Sequence, residues 1–283
     1  MPAALPAGWR LRVEESVTST SDLLLRLAAA GEPGGLAVLA RSQTGGRGRD
    51  GRAWTSPEGN LFLSLLLRPD EPAREAGRYA LLSAVILAEA LEPELPDPAA
   101  LRLKWPNDLL LDGAKLAGVL CESAAAADGR LDFLVMGLGA NLAVAPALPD
   151  RPTARLPRPV SPETIAIRIL HALEAWRARL AGQGLAPLRA AWMRRGPEDG
   201  ARLTLRLGAG ETPGLYRVEY PDKFHDPDSQ CACRVQIQTA SVKFDGEFRP
   251  HPHIIHKGPD FLAMPCRVSV SWLPLDSYSN LVR

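Results

Sequence analysis

Lysine is nearly missing from most of this chain. Before residue 212 it occurs only as Lys104 and Lys115, against 23 arginines. Asparagine is as scarce, appearing there only as Asn60, Asn107 and Asn141. Both lysines and Asn107 fall in one stretch, KWPNDLLLDGAKLAGVL, residues 104–120. Lysine carries a compact, strongly hydrated ammonium and arginine a planar fork, so the two do not substitute for each other at a chemical site. A chain that writes Arg elsewhere and keeps Lys here marks a segment where side-chain identity matters.

Other absences narrow the function. The formal charge is only +1, which removes the electrostatic basis for general nucleic-acid binding. No apolar run approaches the roughly 18–20 residues that span a bilayer. The opening MPAALPAGWRLRVEE has no secretory apolar region. A soluble cytoplasmic protein with neither membrane nor nucleic-acid partner is expected. The four cysteines, Cys121, Cys231, Cys233 and Cys266, do not form a disulfide-scaffold pattern, and Cys121 reads as a buried thiol. The phosphate-loop pattern GxxxxGK[ST] is absent, and no internal repeat occurs.

The chain has 283 residues and is 46% hydrophobic, enough for one large domain or a large one with a smaller companion. Composition changes near Thr212. The last 72 residues hold three alanines (Ala232, Ala240, Ala263), half of the 16 aromatics and three of the four cysteines. The expected division is 1–198 and 199–283, with the second part atypical after 211. Upstream, Ser19, Thr20 or Ser21 can cap a helix through DLLLRLAAA that Gly31 ends. Strands are expected at 36–41, 60–68, 101–105 (stopped by Pro106) and 131–141. A β-hairpin should turn at Asp112-Gly113 between NDLLL and KLAGVLCES. Helices are expected over 74–91, 163–181 and 185–195. The run 201–207 alternates and should open a small β unit.

Three motifs carry chemistry. In GGRGRDGRAW, residues 45–54, glycines alternate with Arg47, Arg49 and Arg52. Glycine lets backbone approach a ligand closely. Arginine forks suit carboxylate and phosphate oxygens. Such a loop is built to close over an anion, with Gln43 before it as a neutral donor and acceptor and Trp54 anchoring its far end. An RGG-like segment holding RNA loosely is the alternative. In the second motif, Asn107 can meet a purine edge or phosphate. Asp108 can hold Mg²⁺ or take a proton from an incoming amine. Lys115 begins a strand, and Gly118 leaves room beside it for a flat ligand. A strand-edge Lys104, a turn-forming Asp108 and a surface Lys115 are the plainer readings. The third motif, GLGAN at 137–141, is weaker. It offers close backbone approach at Gly137 and an Asn141 contact to phosphate or metal, or a simple turn.

Taken together, ST at 19–20, QTGGRGRDGRAW, GNL, KWPNDL, KLAG and GLGAN resemble the biotin–protein ligase family (biotin–[acetyl-CoA-carboxylase] ligase) over residues 8–207, roughly 70% of the chain. The resemblance implies an α+β fold with a mixed sheet and flanking helices like a class II aminoacyl-tRNA synthetase. A small C-terminal β unit, SH3-like if regular, would follow. It implies that Ser19, Thr20, Gln43, Gly46, Arg47, Lys115, Gly118 and Gly137 bind biotin, while Arg49, Arg52, Trp54, Asn107 and Asn141 bind ATP. Ser21 stands where many members have Asn. The implied reaction joins the biotin carboxylate to the α-phosphate of ATP, giving biotinyl-5′-AMP and pyrophosphate. A lysine of a biotin carboxyl carrier protein then displaces AMP. Arg47, Lys115 and Asp108 are the catalytic candidates, and Asp108 is also the candidate Mg²⁺ ligand. The match begins almost at Met1, so a ligase without an N-terminal DNA-binding module is expected, as monomer or homodimer. A lipoate or octanoyl ligase of the same fold and a non-catalytic biotin sensor are the alternatives.

After residue 211 the family's expected pattern fades. Residues 212–283 read as a divergent β domain, as a fused or frame-changed tail, or as a metal site built from Cys231, Cys233, His251, His253, His256 and Cys266.

Overall fold

The computed structural model describes residues 4–104 and 107–197, together with the backbone of three later strands. The chain divides into two compact units, the first containing residues 1–196 and the second beginning at 197.

In the first unit the order is β1 (Arg10–Val17), α1 (Thr20–Ala29), β2 (Leu36–Gln43), β3 (Leu61–Leu67), α2 (Arg78–Leu91), β4 (Leu101–Lys104), β5 (Asp108–Leu111), β6 (Ala114–Ala125), β7 (Leu131–Ala140), α3 (Pro162–Gln183) and α4 (Ala186–Arg195). The seven strands form one sheet in the order β1-β2-β3-β7-β6-β5-β4. The β1–β2 pair is parallel and all the others are antiparallel, so the sheet is mixed.

Local signals place most elements. Ser19 caps α1, its hydroxyl accepting from the Asp22 amide at 3.3 Å. Gly31 follows at φ +92°, a left-handed position that favours glycine. Asp112 and Gly113 both have positive φ, 49° and 78°, as a two-residue hairpin turn requires. The helix expected over 74–91 opens as a 3₁₀ turn at Ala73–Glu75 and becomes α-helical only at Arg78. The strand β1 was not expected. It is a half-exposed edge strand whose charged sequence lacks a clean alternation, so tertiary pairing with β2 decides it. Pro106, expected to stop β4, lies outside the described residues.

β3 is buried along its whole length because both faces of the sheet are covered. On one face Leu36, Val38, Leu66, Phe133 and Val135 pack with Leu24 and Ala28 of α1. Alternation along β3 turns Leu61, Leu63 and Leu65 the other way, toward the face that α3 covers. α1 is short and covers only part of its face. The sheet rungs beyond its N-terminus carry Ser64, Gly137 and Gly139 and are left open.

In the second unit, β8 (Arg202–Leu207), β9 (Gly210–Glu219) and β10 (Arg234–Gln238) form an antiparallel sheet in the order β10-β9-β8. The strand expected at 201–207 is β8. The six Cys and His residues considered as metal ligands lie outside the described residues, as does the rest of 212–283 apart from β9 and β10.

Leu63 is fully buried on a central strand. Leu63→Ala should lower the unfolding free energy by about 2–5 kcal/mol. Urea unfolding should show this as a fall in midpoint with an unchanged slope.

Candidate active site

The cavity lies on the α1 face, where α1 stops. Its floor is two rungs across three strands. One is Ser64–Gly137–Leu120 and the other Phe62–Gly139–Gly118. Three glycines in two rungs strip the sheet of side chains. A Cβ on Gly137 would lie 2.6 Å from Ser21 Oγ, and one on Gly139 would lie 2.8 Å from the Trp54 ring. Those separations are too short for real atoms, so a side chain at either position would have to displace Ser21 or Trp54.

The inner end of the cavity is neutral and rich in hydroxyls. Thr20 Oγ1 and Ser21 Oγ lie 2.8 and 3.0 Å from Ser64 Oγ. Gln43 Oε1 accepts from the Thr20 amide at 2.9 Å, and Gln43 Nε2 donates to Ser56 Oγ at 3.1 Å. Thr20, Ser21 and Ser64 are buried and Gln43 and Ser56 half-buried; all are paired, and each hydroxyl can still donate or accept toward a ligand.

The outer end is cationic. Arg49, Arg52, Lys115 and Arg151 line it together with Asp108 and Asp150, whereas Arg47 lines the cavity at the α1 end, beside Asp22. Lys115 Nζ sits 2.6 Å from Asp108 Oδ1 and 5.4 Å from the centre of the Trp54 ring. Arg151 Nη1 is 3.7 Å from Asp108 Oδ2. Arg49 Nη1 reaches Asn107 Oδ1 at 3.4 Å, and Asn107 Nδ2 donates to the Val119 carbonyl at 3.0 Å. Among the described residues, neither Arg49 nor Arg52 has a carboxylate within ion-pair distance. They are the cations most available to an incoming anion.

Arg47 is placed differently from the expectation. It was expected to neutralise substrate directly, yet its Nη2 donates to Asp22 Oδ1 at 2.5 Å and to both Glu122 oxygens at 3.1 and 3.2 Å. Burial disfavours its charge, but the bond to Asp22 and the fields of both carboxylates outweigh that and raise its pKa. Glu122 is 1% exposed. Burial pushes its pKa up, against the pull of Arg47.

All but one of the expected site residues line this cavity: Ser19, Thr20, Gln43, Arg47, Arg49, Arg52, Trp54, Asn107, Asp108, Lys115, Gly118, Gly137 and Asn141. Gly46 does not. It lies at the loop's base, where a Cβ would fall 2.6 Å from the Trp54 carbonyl oxygen. Asn141 lines the cavity but is spoken for. It is 2% exposed, its Nδ2 donates to the Ala154 carbonyl at 3.0 Å, and its Oδ1 accepts from Asn60. That makes it a brace for the segment carrying Arg151, in place of the expected phosphate or metal contact. Lys104 is exposed at the end of β4 and lies away from the cavity lining.

Asp108 was expected to hold Mg²⁺. Both of its oxygens already face cations, and a hard dication needs uncompensated oxygens. Among the described residues, no three His, Cys, Asp or Glu side chains gather as a metal site. The residues therefore do not fit a protein-built magnesium site. The same residues contain no helix long and apolar enough to cross a membrane.

Ser64, Glu122, Asp22 and Arg151 were not anticipated. Ser64 was detectable as the one hydroxyl in LFLSLLL, and Glu122 as the acid ending KLAGVLCE. Arg151 had no signal, because a distant loop brings it to Asp108.

Comparison with known proteins gives the chain's relatives. The model of the Biotin/lipoate A/B protein ligase family matches residues 13–141. A biotin–[acetyl-CoA-carboxylase] ligase of Paracoccus denitrificans is 38% identical over 207 residues, 70% of this chain and 85% of the relative. One from Mycobacterium tuberculosis is 35% identical over 184 residues, 60% of this chain and 67% of the relative. The crystal structure of the Leishmania major biotin protein ligase in complex with biotinyl-5-AMP is 26% identical with a TM-score of 0.58, covering 82% of this chain and 96% of that one.

The raised pKa of Glu122 fixes the sign of a pH effect. In the folded protein Glu122 keeps its proton above its ordinary 4.5, while the unfolded chain releases it. Stability should therefore fall as pH rises from 4.5 to the folded value and level off above it. In urea unfolding, the stability of wild type minus that of Glu122→Gln should decrease with pH across that window. An increase would contradict the buried, costly carboxyl.

Proposed function

The chain belongs to the biotin/lipoate A/B protein ligase family, and we propose that it is an ATP-dependent biotin–protein ligase acting on a biotin carboxyl carrier protein in the cytoplasm. The observation that carries this reading is the polarity gradient of one cavity, from a neutral hydroxyl end to a cationic end. Biotin has the matching form. Its ureido group carries two N–H donors and a carbonyl acceptor, and its carboxylate sits at the end of an apolar chain. The ureido end pairs with Thr20, Ser21 and Ser64 at the inner end. The carboxylate then reaches the outer end, where ATP binds.

The dithiolane of lipoate offers no comparable hydrogen-bonding partners. Burying it against those hydroxyls would leave them poorly compensated, a cost that discriminates strongly between substrates.

In the first step a biotin carboxylate oxygen attacks the α-phosphorus of ATP. The new O–P bond forms as the bond to pyrophosphate breaks. Two anions must approach, and the cations at the outer end offset their repulsion. Arg49 and Arg52 take phosphate oxygens through their forks. Lys115 turns from Asp108 to the reacting phosphate, so the ligand displaces an ion pair in place of an isolated charge. Holding both substrates in line supplies much of the remaining acceleration. Magnesium enters only as the triphosphate's own counter-ion, and no step depends on a protein ligand to it.

In the second step the carrier lysine attacks the acyl carbon of biotinyl-5′-AMP. An amide bond forms, AMP leaves, and the amine loses a proton. Asp108 stands beside Lys115 at the cavity and is the base that accepts that proton, with Arg151 limiting its freedom to turn away. The loop over the cavity shields the mixed anhydride from water.

Biotin-dependent ATP–pyrophosphate exchange tests the first step, with lipoate as control. Exchange with biotin should exceed that with lipoate by at least about 100-fold. Lys115→Ala should lower exchange by about 10²–10³-fold. Asp108→Ala should retain exchange and slow transfer from preformed biotinyl-5′-AMP to the carrier. Exchange with lipoate alone, or none with biotin, would overturn the reading.

A further inference from the structure

Glu122 is a buried acid for which the two reaction steps have no use. It lies on β6 opposite Val135 of β7, which pairs in turn with Leu66 of β3. On this face of the sheet that rung is the next one after Ser64–Gly137–Leu120, so Glu122 stands between the cavity floor and α1. An acid at 1% exposure among leucine and valine costs free energy unless it is paired. Arg47 pairs it, and Arg47 also takes Asp22 in the first turn of α1.

Arg47 also belongs to the Gly/Arg loop. The loop is closed on itself at its base. Arg47 bridges to Ala53, Gly48 N donates to the Arg52 carbonyl at 2.8 Å, and Trp54 N donates to the Gly46 carbonyl at 2.8 Å. Such a closed excursion could swing as a unit. The Arg47 side chain ties its base to two other elements, α1 and β6. The tie also consumes the charge of Arg47, because two carboxylates face one guanidinium. Its Nε is buried and has no protein partner. Arg47 also lines the cavity.

We propose that Glu122, assisted by Asp22, is a positioning residue for the ligation reaction: the carboxylate pair fixes Arg47 and so holds the loop over the cavity. The assignment rests on the ligase reading and adds to it an acid that acts only through Arg47. It also distinguishes two kinds of arginine in one loop. Among the described residues no carboxylate lies within ion-pair distance of Arg49 or Arg52, whereas Arg47 is latched by two.

A double-mutant cycle in biotin-dependent pyrophosphate exchange tests the latch. Glu122→Gln keeps the side chain's shape and removes its charge. It should lower kcat/KM by about tenfold or more, the loss expected for a charged hydrogen bond. Thermal unfolding should show a folded protein. Asp22→Asn should act in the same sense and more weakly. If Glu122 works through Arg47, Arg47→Gln combined with Glu122→Gln should be no worse than Arg47→Gln alone, within about twofold. In the ligand-free protein, trypsin should cut after Arg49 or Arg52 faster in Glu122→Gln than in wild type.

Wild-type kcat/KM in a folded Glu122→Gln protein would overturn the proposal, as would losses that multiply in the double variant. Should Glu122→Gln fail to fold, Asp22→Asn with and without Arg47→Gln decides by the same criterion. Absence of exchange in the wild type would defeat the ligase reading itself. Exchange with multiplying losses would defeat only the latch.

Discussion

A patch of sheet with almost no side chains is the constraint on which the site depends. Gly118, Gly137 and Gly139 lie on adjacent strands, and with Ser64 they make a shallow floor that a ligand can approach through backbone. The patch survives because α1 is short. Its hydrophobic residues cover Leu66, Phe133 and Val135, and its N-terminus ends over the glycines. The residues at that N-terminus do double duty. Ser19 satisfies the helix end, and Thr20 and Ser21 bond to Ser64 on the floor. Filling the floor with methyl groups would close the cavity and drive Ser21 and Trp54 from their places.

Above this floor, charge is stored in pairs. Lys115 is held by Asp108, and Arg47 by Asp22 and Glu122. A cluster of unpaired cations would repel itself and destabilise the empty protein. Pairing avoids that cost. It also means that an anionic substrate gains only the difference between its own contact and the one it replaces. Among the described residues Arg49 and Arg52 are the exceptions, with no carboxylate at ion-pair distance: Arg49 is half-buried and bonded to Asn107, and Arg52 is exposed, in the field of Asp150. The same cavity therefore contains cations committed to structure and cations reserved for ligand.

Much of this could be read from residue order. The cap at Ser19, the stop at Gly31, the turn at Asp112-Gly113 and the buried run of β3 are local, because each depends on neighbours within a few positions. β1 could not be read, since a half-exposed edge strand with charges throughout has no pattern until β2 pairs with it. In the site, the scarcity of lysine singled out Lys115, but it singled out Lys104 equally, and that residue lies apart from the cavity. Asn141 shows the converse. Its place beside GLG suggested a ligand contact, yet its amide is consumed by Ala154 and Asn60.

The order of residues alone determined which groups exist to do chemistry: a glycine-spaced run of arginines, an ammonium kept where arginine is the habit, and strands with helices between them. It did so because rarity, alternation and turn chemistry are properties of near neighbours. The tertiary structure decided which of those groups are free. Arg47 is latched while Arg49 and Arg52 are not, because Asp22 and Glu122, 25 and 75 positions away, meet it through the packing of α1 on the sheet. Asp108 faces Arg151 because a distant loop crosses back over β6. Partnerships over such separations depend on how elements pack, and no local pattern encodes them.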